Sequence, residues 1–258
     1  MSLSLSLDND VHLRDPRFLL ARLHTDSLLD KRTAKEVKTT LAKLRKGTAA
    51  LDFAYREAFQ RIDGQLEGDR ELARKVLSWI TLAERPLTTA EICCALAVEP
   101  GENEIDPENV LTPGGLVSVC AGLVVIDQES GFIRLMHYTT QEYFERTGDV
   151  WNQGGQLNIT TTCLTYLSFG TFQSGSCSTD KEFETRLQQN QFLDYAAKHL
   201  GSHLRTVETE IADRTCELLQ GKSFPCVAQA LWVPNYKYEG YSTAYPVRTA
   251  LHLSLIHI

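Results

Sequence analysis

The stretch "LVVIDQESGFIRLMHYTTQEYFERT", residues Leu123 to Thr147, decides how the chain folds. It opens with two runs of aliphatic and β-branched residues joined at Gln128 to Gly131, where polar residues and a glycine signal a hairpin. Thr139 follows, with Glu142 three positions later. That spacing predicts a helix opened by a capping box, the hydroxyl accepting from the N3 amide and the carboxylate reaching back to the N-cap amide. Tyr138 and Tyr143 then stand where a hydrophobic staple belongs. His137 has no part in this local account: it ends the second strand, immediately before a helix N-terminus.

Upstream of the hairpin the signals are helical. Arg70 to Ala83 places Leu72, Val76, Leu77 and Ile80 on one side and stops before Pro86. Thr88 and Glu91 form a capping box ahead of a short helix through Ile92 and Leu96. Beyond the acidic loop "EPGENEIDPEN", Gly115 to Gly122 keeps a helical period through Leu116, Val119 and Cys120. The order helix, helix, helix, hairpin, helix is that of a winged helix, a variant of helix-turn-helix.

An all-α module precedes it. Asp15 and Pro16 read as N-cap and N1 of a helix carrying Leu19, Leu20, Leu23 and Leu28. Thr33 and Glu36 cap a second with a Val37, Leu41, Leu44 stripe, and Leu51, Tyr55, Ala58, Phe59 and Ile62 give a third, broken by Asp63 to Asp69. After the winged helix only helices are predicted. Asn158 is placed to cap the helix of Ile159, Leu164 and Leu167, Thr179 and Glu182 form another capping box, and helices follow over 192–205, 207–220 and 224–232. "NYKYEGYSTAYPV" then reads as a loop. The fold class expected is mainly α: a helical bundle plus winged helix, followed by a helical linker region.

Composition narrows the function. A chain of 258 residues with net charge -7 lacks the basic face that neutralises phosphates, so nucleic acid is not an expected partner. The longest apolar stretch, Leu116 to Ile126, falls well short of the roughly 20 residues a membrane span needs. No secretion signal is visible, and a cytoplasmic location is expected. Seven cysteines without a C-x-x-C pair fit reduced, mostly buried thiols.

Apparent reaction motifs reduce to structure. "GKS" at Gly221 to Ser223 ends like a phosphate-binding loop, but position 216 is Cys216 where a glycine is needed, so a helix end followed by Pro225 at the next start explains it. No nucleophile elbow is present, and "GSCS" at Gly175 to Ser178 falls between helices. Asn158 also opens a glycosylation triplet, for which an N-cap is the simpler role. His199 and His203 lie at i, i+4 but lack the glutamate of a metal-binding H-E-x-x-H helix. No catalytic residue and no metal ligand is expected, and the chain reads as a non-enzyme.

"RLMHYTTQEYF" resembles the histidine motif, H-x-x-x-Q-E-F/Y, that ends the winged-helix part of NACHT-type signalling NTPases of the STAND class. "FLLARLHTDSLLDKRTAKEVKTTLAKL", "ARKVLSWITLAERPLTTAEICCALAVE", "LVSVCAGLVVID", "TTCLTYLSF" and "FLDYAAKHLGSHLR" are similar to the segment between NACHT core and ankyrin repeats in filamentous-fungal NACHT-ankyrin proteins. The middle part resembles the winged-helix domain named after GPI inositol-deacylase. The resemblance divides the chain into the helical end of a NACHT module (8–68), a winged helix (69–148), a helical linker (149–233) and a loop with the start of an ankyrin repeat (234–252). "TALH" at Thr249 to His252 resembles the T-P-L-H opening of that repeat. "LSLIHI" (253–258) resembles translated sequencing adapter, so a truncated fragment is expected.

The resemblance implies that an absent P-loop core binds ADP, ATP or GTP, while this fragment holds no cofactor. It implies that the winged helix folds back as a lid, with His137 contacting phosphates of the bound nucleotide. NACHT core and ankyrin repeats would be intramolecular partners, and opening would permit homo-oligomerisation. The alternative is a DNA-binding winged-helix regulator. Against it, Gly115 to Gly122 offers no Arg, Lys, Asn or Gln to read base edges, and the wing offers only Arg134.

Overall fold

A computed structural model of the chain describes residues 21, 23–25, 28–29, 31–43, 48–151 and 154–233. The fold is mainly helical with little strand, as the sequence predicts. Helices α1 (Ala34–Lys43), α2 (Thr48–Asp63) and α3 (Glu67–Leu82) come first. Strand β1 (Leu87–Thr88), α4 (Thr89–Leu96), a 3₁₀ turn (Pro107–Asn109) and α5 (Pro113–Val119) follow. Then come β2 (Val124–Ile126), β3 (Phe132–Leu135) and α6 (Tyr138–Trp151). The remainder is α7 (Gly155–Leu167), a second 3₁₀ turn (Gly170–Ser174), α8 (Asp180–Gln189), α9 (Leu193–Leu204), α10 (Glu208–Gln220) and α11 (Phe224–Trp232). From α3 to α6 this is the winged-helix order. Asp15, Pro16, Leu19, Leu20, Leu44, the tyrosine-rich loop, the ankyrin-like "TALH" and residues 253–258 lie outside the described residues.

The chain packs as two compact units. One draws on residues up to Pro86 and on Pro113–Gln153; the other draws on Leu87–Thr112 and on residues from Gly154 onward. Residues 69–148 contribute to both.

In the first unit, Ala54, Ala58 and Ile62 of α2 and Ala73, Val76 and Leu77 of α3 are buried together with Leu116, Leu123, Val124 and Ile133. The helical period read from the sequence thus sorts inside from outside. It misleads in α1, where Leu41 is 47% exposed. The break after α2 is also shorter than predicted, because α3 begins at Glu67 and uses Glu67 and Asp69 as favourable first-turn anions. Strands β2 and β3 pair antiparallel with Val124 opposite Leu135 and Ile126 opposite Ile133. Their turn is closed by the Gly131 amide donating to the Asp127 carbonyl at 2.8 Å, with Gly131 at φ +70. That left-handed geometry needs glycine.

Helix α5 spans Pro113–Val119 instead of Gly115 to Gly122. Ala121 and Gly122 both take positive φ, 49 and 81, so the chain turns sharply toward β2. The carbonyls freed by this early ending are met by side chains from earlier in the chain: Gln65 Nε2 donates to the Val119 oxygen at 2.9 Å and Arg61 Nη2 to the Ala121 oxygen at 3.2 Å. Orphan carbonyls at a helix end need such donors.

In the second unit, α7 and α9 pack most extensively, burying Ile159, Cys163, Leu164, Tyr195, Ala196 and Leu200. Tyr166 gathers an aromatic cluster, its ring centroid 5.2 Å from Phe169, 5.3 Å from Phe172 and 5.1 Å from Phe192. Helix α7 starts at Gly155 with Gly154 in left-handed conformation as its N-cap, so Asn158 lies inside the helix and does not cap it. A positive-φ glycine four residues upstream of the expected cap turned the chain first. Capping boxes at Thr33/Glu36, Thr88/Glu91 and Thr179/Glu182 form as predicted.

Candidate functional site

His137 ends the hairpin and starts α6. Met136 donates its amide to the Leu123 carbonyl at 2.8 Å, which closes the wing and delivers the next residue to the helix. The amide of Thr139 then donates to His137 Nδ1 at 3.2 Å. His137 is therefore the N-cap, its imidazole nitrogen doing what a serine or aspartate oxygen does elsewhere. The expected capping box at Thr139 and Glu142 does not form: helix α6 begins two residues earlier, and Thr139 is its second residue. The staple fails with it, since Tyr138 is 60% exposed while Tyr143 is buried. Tyr143 packs instead on Tyr55, centroids 5.0 Å apart, and on Phe59.

The Thr139 side chain is drawn elsewhere. Its Oγ1 lies 2.8 Å from His137 Nδ1 and 2.6 Å from the Tyr55 hydroxyl, and Thr140 Oγ1 donates to that same hydroxyl at 3.3 Å. Because Nδ1 accepts from a backbone amide, it carries no proton. The chain of donors then has one consistent direction: Thr140 hydroxyl to Tyr55 hydroxyl, Tyr55 to Thr139, Thr139 to His137 Nδ1. Aligned chains of this kind strengthen each member. Burial pushes the Tyr55 phenol above its ordinary pKa, while hydrogen bonds with Thr139 and Thr140 pull the other way. His137 is 4% exposed and Thr140 fully buried, so the relay is interior and joins α2 to the start of α6. Sequence reasoning found His137 but missed Tyr55, whose link to Thr139 spans 84 positions and leaves no local trace.

The remaining candidates resolve into structure. His203 is fully buried, with Tyr195 Oη 2.8 Å from its Nε2 and Gln156 Nε2 2.7 Å from its Nδ1. Both ring nitrogens are thus taken by side chains that are not metal ligands. His199 packs its ring against Tyr195, centroids 4.8 Å apart and planes tilted by 40°. Among the described residues no three His, Cys, Asp or Glu converge on a metal-sized space. Gly221 ends α10 in extended conformation, and a Cβ there would meet the Glu217 carbonyl at 3.0 Å, so close approach of backbone accounts for the glycine of "GKS". Pro225 sits in the first turn of α11. In the winged helix, α5 reads PGGLVSV and carries no base-reading side chain, and Arg134 Nε stands 3.8 Å from an Asp127 carboxylate oxygen. No helix among the described residues is long and apolar enough to cross a membrane.

Residues 62–151 match the family described as the winged helix domain of GPI inositol-deacylase. The match begins at the buried end of α2, ends at the end of α6, and contains His137 and Thr139. Neither a curated protein nor a solved structure matches the chain.

Proposed function

We propose that the chain is a non-catalytic regulatory part of a NACHT-ankyrin signal-transduction NTPase, its winged helix acting as an intramolecular lid and His137 as the nucleotide-state sensor. The observation that carries this reading is the placement of His137, which caps α6 inside the matched winged-helix stretch and anchors a relay to Tyr55 of the preceding helix. A phosphate that takes a hydrogen bond from this imidazole acts directly on the entry of α6. Because His137 is buried, the contact comes with rearrangement of its neighbours, and a ligand that binds one arrangement better than the other shifts the balance between them. The nucleotide, ADP, ATP or GTP, belongs to a P-loop core in a longer chain, and the ankyrin repeats and a homo-oligomer of the opened form are the remaining partners. The setting is cytoplasmic.

The test uses a chain that carries that core. His137→Ala should weaken ADP retention and raise the oligomeric fraction, read by nucleotide content after purification and by light scattering. Unchanged ADP content together with an unchanged oligomeric state would sink the reading. Salt-dependent DNA binding by the 258-residue chain at micromolar concentration would favour the DNA-binding alternative instead.

A further inference from the structure

Two thiols of the second unit, neither used by the proposed switch, share one corner. Cys177 lies in the loop between the second 3₁₀ turn and α8, and Cys226 lies in the first turn of α11. Gln229, one turn further along α11, clamps the Cys177 backbone from both sides: its Oε1 accepts from the Cys177 amide at 2.8 Å and its Nε2 donates to the Cys177 carbonyl at 3.0 Å. Residues three apart on a helix share a face. The clamp therefore holds Cys177 against the face of α11 that carries Cys226.

Arg186 of α8 ties the same corner. Its Nη1 donates to the Gly175 carbonyl at 2.5 Å and to Cys226 Sγ at 3.2 Å, and its Nη2 donates to Ser174 Oγ at 3.0 Å. The guanidinium favours the thiolate of both cysteines, yet burial outweighs it and holds both thiols above their ordinary pKa. Access differs between the two. Cys177 is half-buried and borders an open cavity of about 620 Å³, where Lys181 and Thr185 also lie, whereas Cys226 is fully buried. An accessible thiol, a sheltered thiol and a cation beside both are the parts of an attacking and resolving pair.

We propose that Cys177 and Cys226 are a redox-responsive pair that closes to an intramolecular disulfide when a low-molecular-weight disulfide, such as glutathione disulfide, is in excess. The Cys177 thiolate attacks one sulfur of glutathione disulfide, forming a mixed disulfide and releasing one glutathione thiolate. The Cys226 thiolate then attacks the Cys177 sulfur, and the second glutathione leaves. Two cysteines are oxidised, one glutathione disulfide is reduced to two glutathiones, and the two cysteine protons pass to them. The bridge encloses α8, α9 and α10, so it restricts the unfolded chain and makes the stability of the second unit depend on redox poise.

The experiment incubates the full chain with glutathione disulfide at mildly alkaline pH, quenches with acid and maps peptides by mass spectrometry. A cross-linked peptide joining Cys177 to Cys226 is expected, with exposed Cys216 carrying glutathione. C177S, a loop variant, should abolish the cross-link and leave Cys226 free, and C226A should strand glutathione on Cys177. Wild-type protein in which Cys177 carries glutathione beside a free Cys226 would overturn the proposal. So would protein in which both stay free while Cys216 is modified. Running the same mixture in denaturant should scatter the pairing, which ties the cross-link to the folded geometry.

Discussion

Two buried histidines, one in each unit, do different work. His203 sits within α9 with both ring nitrogens held by side chains, Tyr195 from its own helix and Gln156 from α7. It locks the two helices that pack most extensively in the second unit. His137 sits at a boundary, where a strand becomes a helix, and its Nδ1 serves a backbone amide and a hydroxyl relay. Burial alone does not separate the two; what each ring nitrogen serves does, side chains at His203 and a backbone amide at His137. A ring held by side chains of two helices stabilises what is already packed, whereas a cap decides where its helix begins.

The contrast has measurable consequences. Thiol reactivity gives the widest span. Cys163 of α7 is fully buried, with burial driving its pKa far up, and Cys120 beside the wing is pushed up to about 12. Cys216 is exposed and should alkylate at once, while the buried pair should lag by about three orders of magnitude or more, because each waits for an opening event. Iodoacetamide kinetics followed by peptide mapping measure this, and Cys163 should be slower than Cys120 if the second unit is the better locked.

Next comes stability. His203→Ala leaves the Tyr195 hydroxyl and Gln156 amide without their partner in a close-packed interior and should cost about 3 kcal/mol in denaturant unfolding. His137→Ala should cost about 1 to 2 kcal/mol, the range for a lost N-cap. His137→Asn restores a capping oxygen and should recover most of that loss. If it recovers none, the cap is not what His137 contributes to folding, and the contrast with His203 collapses. Ala121, a non-glycine residue at φ +49, should gain about 1 kcal/mol on replacement by glycine, since the left-handed region penalises a Cβ by that order.

The smallest effect is electrostatic. Asp127 accepts from the amides of Ser130 and Glu129, which hold its carboxyl below the ordinary range, with Arg134 adding to the same direction. A folded pKa below the unfolded one means the stabilisation is present above the unfolded carboxylate range and is lost as pH falls through the folded value. Asp127→Asn should therefore flatten the acid limb of the stability curve slightly. An unchanged slope would show that the turn contributes no linkage.

These particular residues also show what the sequence carried and what it did not. At Thr33, Thr88 and Thr179 the hydroxyl and the carboxylate three positions on met as the spacing predicts, because nothing else competed for them. Thr139 and Glu142 have the same spacing and failed. A histidine two positions upstream offered an earlier cap, and a tyrosine from another helix took the threonine hydroxyl. Local chemistry was legible wherever local partners won. The i, i+4 spacing of His199 and His203 gave no sign of what holds His203, since one decisive partner, Gln156, stands on another helix. The winged-helix order itself was readable, being written in the succession of periods.

The interleaving of the two units bears on synthesis. Residues 87–112 are made before any of the second unit's remaining residues, which begin at Gly154. Translation proceeds from the N-terminus at about 5 to 20 residues per second, so seconds pass in which Ile92 and Cys93 of α4 have emerged without the rest of their unit. The first unit, meanwhile, needs Pro113 onward to complete itself. Ribosome pausing after the wing, or a chaperone that shields α4 for that interval, would therefore raise the yield of folded chain without touching a single native contact.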